Sequence, residues 1–208
     1  MIFSLSIEEI VLLFPALILS LTVHEYAHAR VALFFGDRTA QLNGRVTLNP
    51  LKHLELFGTL ALLFAGFGWA KPVPVNTLNM RNPRLGDIMV SLAGPASNLI
   101  VAIISAVILR LISTFDTGEN DTSILATVLL YLAVINAGLC IFNMLPLFPL
   151  DGHHILRELL PASQRVNYQV WQAKYGTIIL LVLVFGPELL GKYAGRDVFD
   201  PISWIFDK

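Results

Sequence analysis

The sequence predicts an all-α protein that crosses a membrane several times, and three observations support this class. Of the 208 residues, 55% are hydrophobic and only 14% are charged, whereas soluble domains carry about 25% charged residues. The mean hydropathy is +0.69. The uncharged stretches Ile88–Leu109 and Thr122–Leu150 are both longer than the ~20 residues that a helix needs to span a bilayer.

Net charge and cysteine content give little support to nucleic-acid binding and exclude an internal disulfide. The formal net charge is −1, which gives no indication of nucleic-acid binding, and the single Cys140 excludes an internal disulfide. The amino terminus has no basic region before its apolar stretch and no small-residue cleavage pattern. The stretch from Ile10 onward is therefore predicted to be a retained span and not a signal peptide.

The first span is predicted to run from about Ser6 to Phe35. Ser6 is a suitable N-cap, and Glu8 and Glu9 lie in the first turn, where the helix dipole favours acidic side chains. Gly36-Asp37 ends the helix. This span is longer than a bilayer strictly requires.

The segment after the first span differs in kind. Arg45–Leu48 alternates and is β-branched between two turn signals, which predicts a short strand. Phe57–Ala70 is apolar but short and contains three glycines, which favours a re-entrant segment. Lys71–Val75 is predicted to be a second extended segment, kept from a central strand position by its prolines.

Two stretches near the carboxyl terminus complete the predicted helices. In Thr122–Leu150 the prolines Pro146 and Pro149 predict that the helix stops near Asn143. Tyr175–Pro187, extendable through Leu190, is a weaker candidate for a last span. With no repeat and no sizeable soluble segment, we expect a single domain of residues 1–208 with its core in 6–160.

Basic residues predict the orientation in the membrane. Three segments hold three Lys or Arg each, whereas Ser113–Asp121 holds none; the three are Gly36–Leu56, Lys71–Asp87 and Asp151–Lys174. This places the amino terminus outside and the carboxyl end of the first span on the cytoplasmic side. The three basic residues after Gly191 conflict mildly with an outside carboxyl terminus.

An H-E-x-x-H motif, His24-Glu25-Tyr26-Ala27-His28, lies in the first span. Positions i and i+4 share a helix face, so His24 and His28 can bind one metal ion, while Glu25 can reach a metal-bound water. Three incidental polar residues on an ordinary helix are the alternative. Because Ile10–Val23 carries no charge, the motif would lie at or inside a bilayer, where ionisable groups usually mark a functional site.

A catalytic zinc also needs a third protein ligand and an open position for water. The candidates are Asp87, Asp151, His153, His154 and His53. Asp151 stands out because it follows a long span at a backbone freed by prolines, and such irregular backbone within a membrane lines a cavity or is buried in protein. From spacing alone, Asp151 is either a ligand or the cap of a helix at His153–Leu160.

The H-E-x-x-H motif together with Asn143–Gly152 (N-x-x-P-x-x-P-L-D-G) resembles the site-2 protease family of intramembrane zinc metalloproteases. Three further segments are similar to its compact bacterial and archaeal branch: Gly44–Pro50, Gly68–Val75 and Gly94–Asn98. The resemblance covers roughly Leu21–Leu156. It implies one Zn²⁺ held by His24, His28 and Asp151, Glu25 as general base, and a three-helix core carrying these motifs.

The resemblance also implies cleavage of a transmembrane protein substrate in or near the lipid bilayer. The oxyanion needs a donor besides the metal, and the family motif implies Asn143, with Asn98 as second candidate. Either Asn could instead form an interhelical hydrogen bond. Arg45–Leu48 and Pro72–Val75 could bind an unwound substrate as an added strand, or pair with each other to cover the site.

Some expectations go beyond the shared motifs. The chain lacks the PDZ or CBS domains of some relatives and has Glu55-Leu56 where close relatives often have Asp-Pro. Polar groups at Asn136, Asn143, His53 and His153 are candidates to line a water path, and a metal role for His153 and His154 is not expected. Family likeness points to a prokaryotic plasma membrane.

Two other function classes are alternatives to the protease. A membrane metal carrier would use the same residues without hydrolysis, but it needs no general base and usually has paired sites on several spans. A non-catalytic scaffold would bind membrane segments without retaining Glu25. The substrate's identity, an activating prior cut, and a regulatory membrane partner or homo-oligomer are left open.

Overall fold

The computed structural model describes residues 6–55, 58, 61, 68, 70–115 and 122–194. Within this part the helices are α1 (Ile7–Phe34), α2 (Thr39–Leu42), α3 (Pro83–Phe115), α4 (Thr122–Asn143), α5 (Asp151–Leu159), α6 (Ala162–Trp171) and α7 (Thr177–Ala194). A π-helical turn at Gln172–Gly176 joins α6 to α7. The chain forms two compact units, Met1–Leu145 and Pro146–Lys208.

Among the described residues, four helices are long and apolar enough to cross a membrane: Ile7–Phe34, Pro83–Thr114, Ile124–Asn143 and Ala162–Gly186. The helical, multi-span class is thus confirmed, and the helix that begins at Thr122 ends at Asn143 as predicted. The last candidate span begins at Ala162, well before the predicted Tyr175. The prediction required an uncharged run, whereas the first turns of this helix are polar and include Arg165.

The predicted beginning and end of the first span are both confirmed. The Ser6 hydroxyl accepts from the Glu9 amide at 3.2 Å, and the Glu9 carboxylate accepts from the Ser6 amide at 2.6 Å, which forms a capping box. At the other end Gly36 has φ +107, a left-handed value that glycine adopts without strain. The chain therefore leaves the helix here.

The prediction of a strand at Arg45–Leu48 is wrong. The Arg45 amide donates back to the carbonyl of Ala40 at 2.9 Å, and the Thr47 carbonyl accepts from Nε2 of His53 at 2.8 Å. Backbone groups that a strand would use in a ladder are thus satisfied locally, and residues 46 and 47 form a bend.

The second extended segment is confirmed as extended but is not part of a sheet. In the described part of the chain, β-type pairing is found as an isolated antiparallel bridge between Leu54 and Ala70. Pro72 and Pro74 have no N–H to contribute to a ladder. Most of the predicted re-entrant segment, Phe57–Ala70, lies outside the described residues.

In the first unit, helices α1, α3 and α4 pack against one another. Small side chains are buried on these helices, namely Ala16, Ser20, Ala29 and Ala32 on α1 and Ser91, Ala102 and Ser105 on α3. Small residues let helix backbones approach closely inside a membrane. This close approach brings α3 against the motif face of α1.

In the second unit, the short helix α5 packs against α6. Glu158 of α5 forms an ion pair with Arg165 of α6 at 3.1 Å, and Arg165 also donates to the Leu160 carbonyl between the two helices at 3.1 Å. The turn between α5 and α6 is therefore held by side-chain contacts.

Candidate metal centre

Two histidines of α1 form a buried pair. His24 and His28 are one helical turn apart and are only 5% and 8% exposed. Their ring centroids are 4.5 Å apart, and the two Nε2 atoms approach to 2.9 Å. The i, i+4 spacing therefore brings both imidazoles to one point, as the motif predicts.

Both Nδ1 atoms are held by oxygen acceptors on α3. Nδ1 of His24 donates to Oδ1 of Asn98 at 2.6 Å, and Nδ1 of His28 donates to the Val90 carbonyl at 2.7 Å. A neutral imidazole carries one N–H, so each Nε2 presents a lone pair. Two lone pairs at this distance repel each other unless a cation lies between them. The donor set fits a divalent metal such as zinc.

The orientation of Asn98 is set by a chain of carboxamides. Nδ2 of Asn136 donates to the Leu132 carbonyl at 2.8 Å and to the Ser20 hydroxyl at 2.7 Å. Its Oδ1 is therefore the atom that accepts from Nδ2 of Asn98, at 2.7 Å. Asn98 must then present its own oxygen to His24. Both asparagines are fully buried, so these hydrogen bonds are shielded from bulk solvent.

Gly94 provides the space that the histidine pair occupies. A Cβ at this position would lie 2.5 Å from both Cε1 of His24 and Nε2 of His28, closer than real Cβ contacts. Gly94 is one turn from Val90 and one turn from Asn98, so all three lie on one face of α3. That face serves as the wall of the site.

Glu25 has its own contacts beside the pair. Its Oε2 accepts a hydrogen bond from the backbone amide of Val73 at 3.0 Å. The buried Arg45 donates to the Lys71 carbonyl in the same extended segment. Burial lowers the pKa of the Arg45 guanidinium, and the Glu25 charge opposes that shift. The extended segment thus holds one oxygen of the carboxylate.

Asp37 anchors the far end of this segment to the end of α1. Its carboxylate is fully buried and accepts from the amide of Asn76 at 2.7 Å, from Nδ2 of Asn79 at 3.1 Å and from the amide of Thr39 at 3.0 Å. Burial alone would raise the pKa of Asp37, but these hydrogen bonds outweigh it and lower the pKa. The residues that contact Glu25 are therefore tied to the same helix as the histidines.

Two further predicted site residues, Asn143 and Asp151, belong to other helices. Asn143 is the last residue of α4, and its Nδ2 donates to the Leu139 carbonyl of the same helix at 3.0 Å. Asp151 belongs to the second unit and is the first residue of α5. The N-cap of α5 is Leu150 and no side chain caps this helix, so the reading of Asp151 as a cap is wrong.

The remaining candidates for a third ligand have other surroundings. His53 is buried, and its Nε2 bonds to the Thr47 carbonyl. Asp87 is buried on α3. In the second unit His153 is stacked on Tyr168 with ring centroids 5.2 Å apart, and it contacts His154 edge-on.

Sequence reasoning missed the residues that contact the site through the backbone or through another residue. Val90 and Val73 act through main-chain atoms, which no side-chain pattern reveals. Asn136 is predicted only to line a water path. Arg45 is predicted only to lie in a strand, although a lone arginine between apolar segments is itself a signal of a buried partner.

The fold and site define a multi-span membrane protein with a buried histidine pair and a glutamate that follows the first histidine in sequence. The chain belongs to peptidase family M50, the site-2 protease family, whose model matches residues 12–120 and 110–187. This family assignment agrees with the resemblance of the motifs.

Several curated relatives share most of this chain. YwhC of Bacillus subtilis is 45% identical over 87% of this chain and 85% of its own length. Rip2 of Mycolicibacterium smegmatis is 30% identical over 95% of this chain and 73% of its own length. MJ0392 of Methanocaldococcus jannaschii is 26% identical over 84% of this chain and 42% of its own length. All three carry names of zinc metalloproteases. No solved structure matches the chain.

Proposed function

We propose that the protein is a zinc-dependent endopeptidase that cleaves membrane-embedded segments of other proteins. The observation that carries this proposal is the buried pair His24–His28, whose Nδ1 atoms both donate to oxygen and whose Nε2 atoms approach each other to 2.9 Å. The names of the relatives support zinc as the metal. The apolar helices support substrates that lie in a bilayer.

His24, His28 and Asp151 are the proposed ligands of one zinc ion. Asp151 is supported by its position in the second family motif and by its place at the start of α5. Zinc bound there would supply a Lewis acid that lowers the pKa of a water molecule and polarises a peptide carbonyl.

Glu25 is the proposed general base. It would take a proton from the attacking water and deliver it to the amine that leaves. The hydrogen bond from the Val73 amide holds one carboxylate oxygen, which leaves the other oxygen for the water. Holding the carboxylate in one orientation lowers the cost of ordering it in the transition state.

The two asparagines receive different proposed roles. Both ends of the Asn98 carboxamide are engaged, with His24 on one side and with Asn136 and Ser20 on the other, which supports a positioning role. Asn143 uses one amide hydrogen on the Leu139 carbonyl, and a carboxamide nitrogen carries two. Asn143 is therefore the proposed oxyanion donor.

The experiment is cleavage of a model transmembrane substrate by the purified parent and by Glu25→Gln, with bound zinc quantified in both. Gln keeps an oxygen that can accept from the Val73 amide but cannot take a proton, so we expect loss of cleavage by about 10²–10⁴-fold with zinc retained. Equal zinc and no cleavage by either protein would favour the carrier or scaffold classes. Loss of zinc in the variant would contradict the division of roles.

A further inference from the structure

The loop that precedes Asp151 has an unusual backbone requirement. Pro146 and Pro149 lack N–H groups and interrupt regular hydrogen bonding, so the polar groups of this loop need partners from elsewhere. A non-helical backbone within a membrane is tolerated only where protein or enclosed water satisfies it. The side chain of Gln172 meets this need.

Gln172 is 1% exposed and lies at the start of the π-helical turn. Its Oε1 accepts from the Phe148 amide at 2.9 Å, and its Nε2 donates to the Pro146 carbonyl at 2.7 Å. Nε2 also donates to the Tyr168 hydroxyl at 2.9 Å, and that hydroxyl donates to the Pro146 carbonyl at 3.2 Å. One carboxamide thus pairs with both a donor and an acceptor of the loop.

Gly176, at the other end of the π-helical turn, lets the loop approach closely. A Cβ on Gly176 would lie 3.1 Å from Cβ and 3.2 Å from N of Phe148, and it would also collide with Oε1 of Gln172. π-Helical turns inside α-helices occur frequently at functional sites. Here the turn places the buried amide side chain of Gln172 and the Gly176 backbone, which has no side chain, against the same loop.

The clamped loop continues directly into Asp151. The Leu150 amide donates to the Leu147 carbonyl at 2.8 Å, and the His153 amide donates to the Leu150 carbonyl at 3.1 Å. These bonds connect the clamped residue Phe148 to the first turn of α5 with little conformational freedom. A change at Gln172 is therefore transmitted to the backbone that carries the Asp151 carboxylate.

We propose that Gln172 is a positioning residue for Asp151, and that it acts by holding the Pro146–Phe148 backbone. This inference rests on the proposed role of Asp151 as a zinc ligand. Residues that orient metal ligands change metal affinity by about 10–100-fold when they are replaced. Gln172 contacts neither metal nor substrate in this role.

The test measures metal affinity of the purified full-length protein by competition with a chelator, and the visible spectrum of its Co²⁺-substituted form. The variant is Gln172→Leu, and the matched control is Gln169→Leu, an exposed glutamine one turn earlier on the same helix. We expect 10–100-fold weaker binding and a changed cobalt spectrum in the variant, with the control like the parent.

A second pair addresses the loop without removing a polar group. Gly176→Ala should displace the loop and weaken metal binding, whereas at Gly186 an added Cβ meets its nearest atom only at 3.7 Å and should have no effect. The unfolding temperature of the metal-free proteins separates loss of positioning from loss of folding. If Gln172→Leu lowers metal affinity only in proportion to its unfolded fraction, the inference is overturned.

Asp151→Ala distinguishes failure of this inference from failure of the proposed function. Parent-like affinity and spectrum in both Gln172→Leu and Gly176→Ala, with metal lost in Asp151→Ala, would overturn the positioning role alone. Metal binding unchanged by Asp151→Ala would overturn the ligand assignment and the positioning role together.

Discussion

The tautomer of His24 is set by atoms that the histidine does not touch. The Leu132 carbonyl can only accept, so Asn136 must direct its Nδ2 toward it and its Oδ1 toward Nδ2 of Asn98. Oδ1 of Asn98 is then the acceptor for Nδ1 of His24. Reversing any one carboxamide would bring two acceptors or two donors together in a buried site. Hydrogen bonds between residues of α1, α3 and α4 thereby determine that Nε2 of His24 carries the lone pair.

Replacing Asn98 by Leu should weaken zinc binding. The variant keeps similar volume but leaves Nδ1 of His24 without its acceptor, so we expect 10–100-fold lower affinity, measured by chelator competition. Ser97→Ala is the control, because that hydroxyl donates to the Gly94 carbonyl of its own helix at 2.7 Å. Parent-like affinity for Asn98→Leu would argue against the positioning role.

Asp37 gives the protein a defined acid sensitivity. Because its pKa in the folded protein lies below the ordinary value of 3.8, its stabilisation is complete above about pH 3.8 and is lost as the pH falls through the lowered pKa. Asp37→Asn should be less stable by about 1–3 kcal/mol at neutral pH, and the difference should shrink in acid.

The measurement is the unfolding temperature in detergent from pH 7 to pH 3. Glu8→Gln is the control, since Glu8 is exposed at the start of α1. A difference between Asp37→Asn and the parent that stays constant across this range would contradict the assignment of the acid sensitivity to Asp37.

At the scale of secondary-structure elements, α3 forms the wall of the histidine site with three consecutive turns of one face. Val90 contributes a carbonyl, Gly94 contributes space and Asn98 contributes an amide oxygen. The face works only because α3 packs closely on α1, and small buried side chains permit that packing.

Adding one methyl group to this wall should disrupt the site. In Gly94→Ala the Cβ would meet both imidazoles at 2.5 Å, so we expect metal content and activity to fall more than tenfold. Gly138→Ala on α4 is the matched control, because a Cβ there meets no atom of the described residues within 4 Å. Metal content and unfolding temperature, measured for both variants, report the effect. Full metal loading in Gly94→Ala would show that α3 can shift away from α1, and it would contradict the role of Gly94 in providing space.

At the scale of the whole molecule, the charge distribution predicts which side of the membrane each link faces. Arg38 lies in a basic segment after α1, and Ser113 lies near the acidic link that follows α3; both are exposed. In a Cys140→Ser background, an impermeant maleimide on intact cells should label Ser113→Cys but not Arg38→Cys. Labelling of both after permeabilisation is the control, and the reverse pattern would invert the topology.

The sequence predicted spans and the histidine pair well because both depend on local spacing. Uncharged runs marked α1, α3 and α4, and the i, i+4 pattern alone brought His24 and His28 together. The strand at Arg45–Leu48 failed because its backbone groups find partners within a few residues, Ala40 and His53, which β-propensity does not anticipate.

By itself, the sequence determined the membrane class, the limits of the first span and the histidine pair, since composition, capping and helical period are properties of neighbouring residues. Only the tertiary structure decided which groups hold Nδ1 of each histidine, what holds Glu25 and what clamps the loop before Asp151. The partners Asn98, Val73 and Gln172 lie 74, 48 and 24 residues from the groups they contact. Hydrogen bonds over such separations follow from helix packing, which no local pattern specifies.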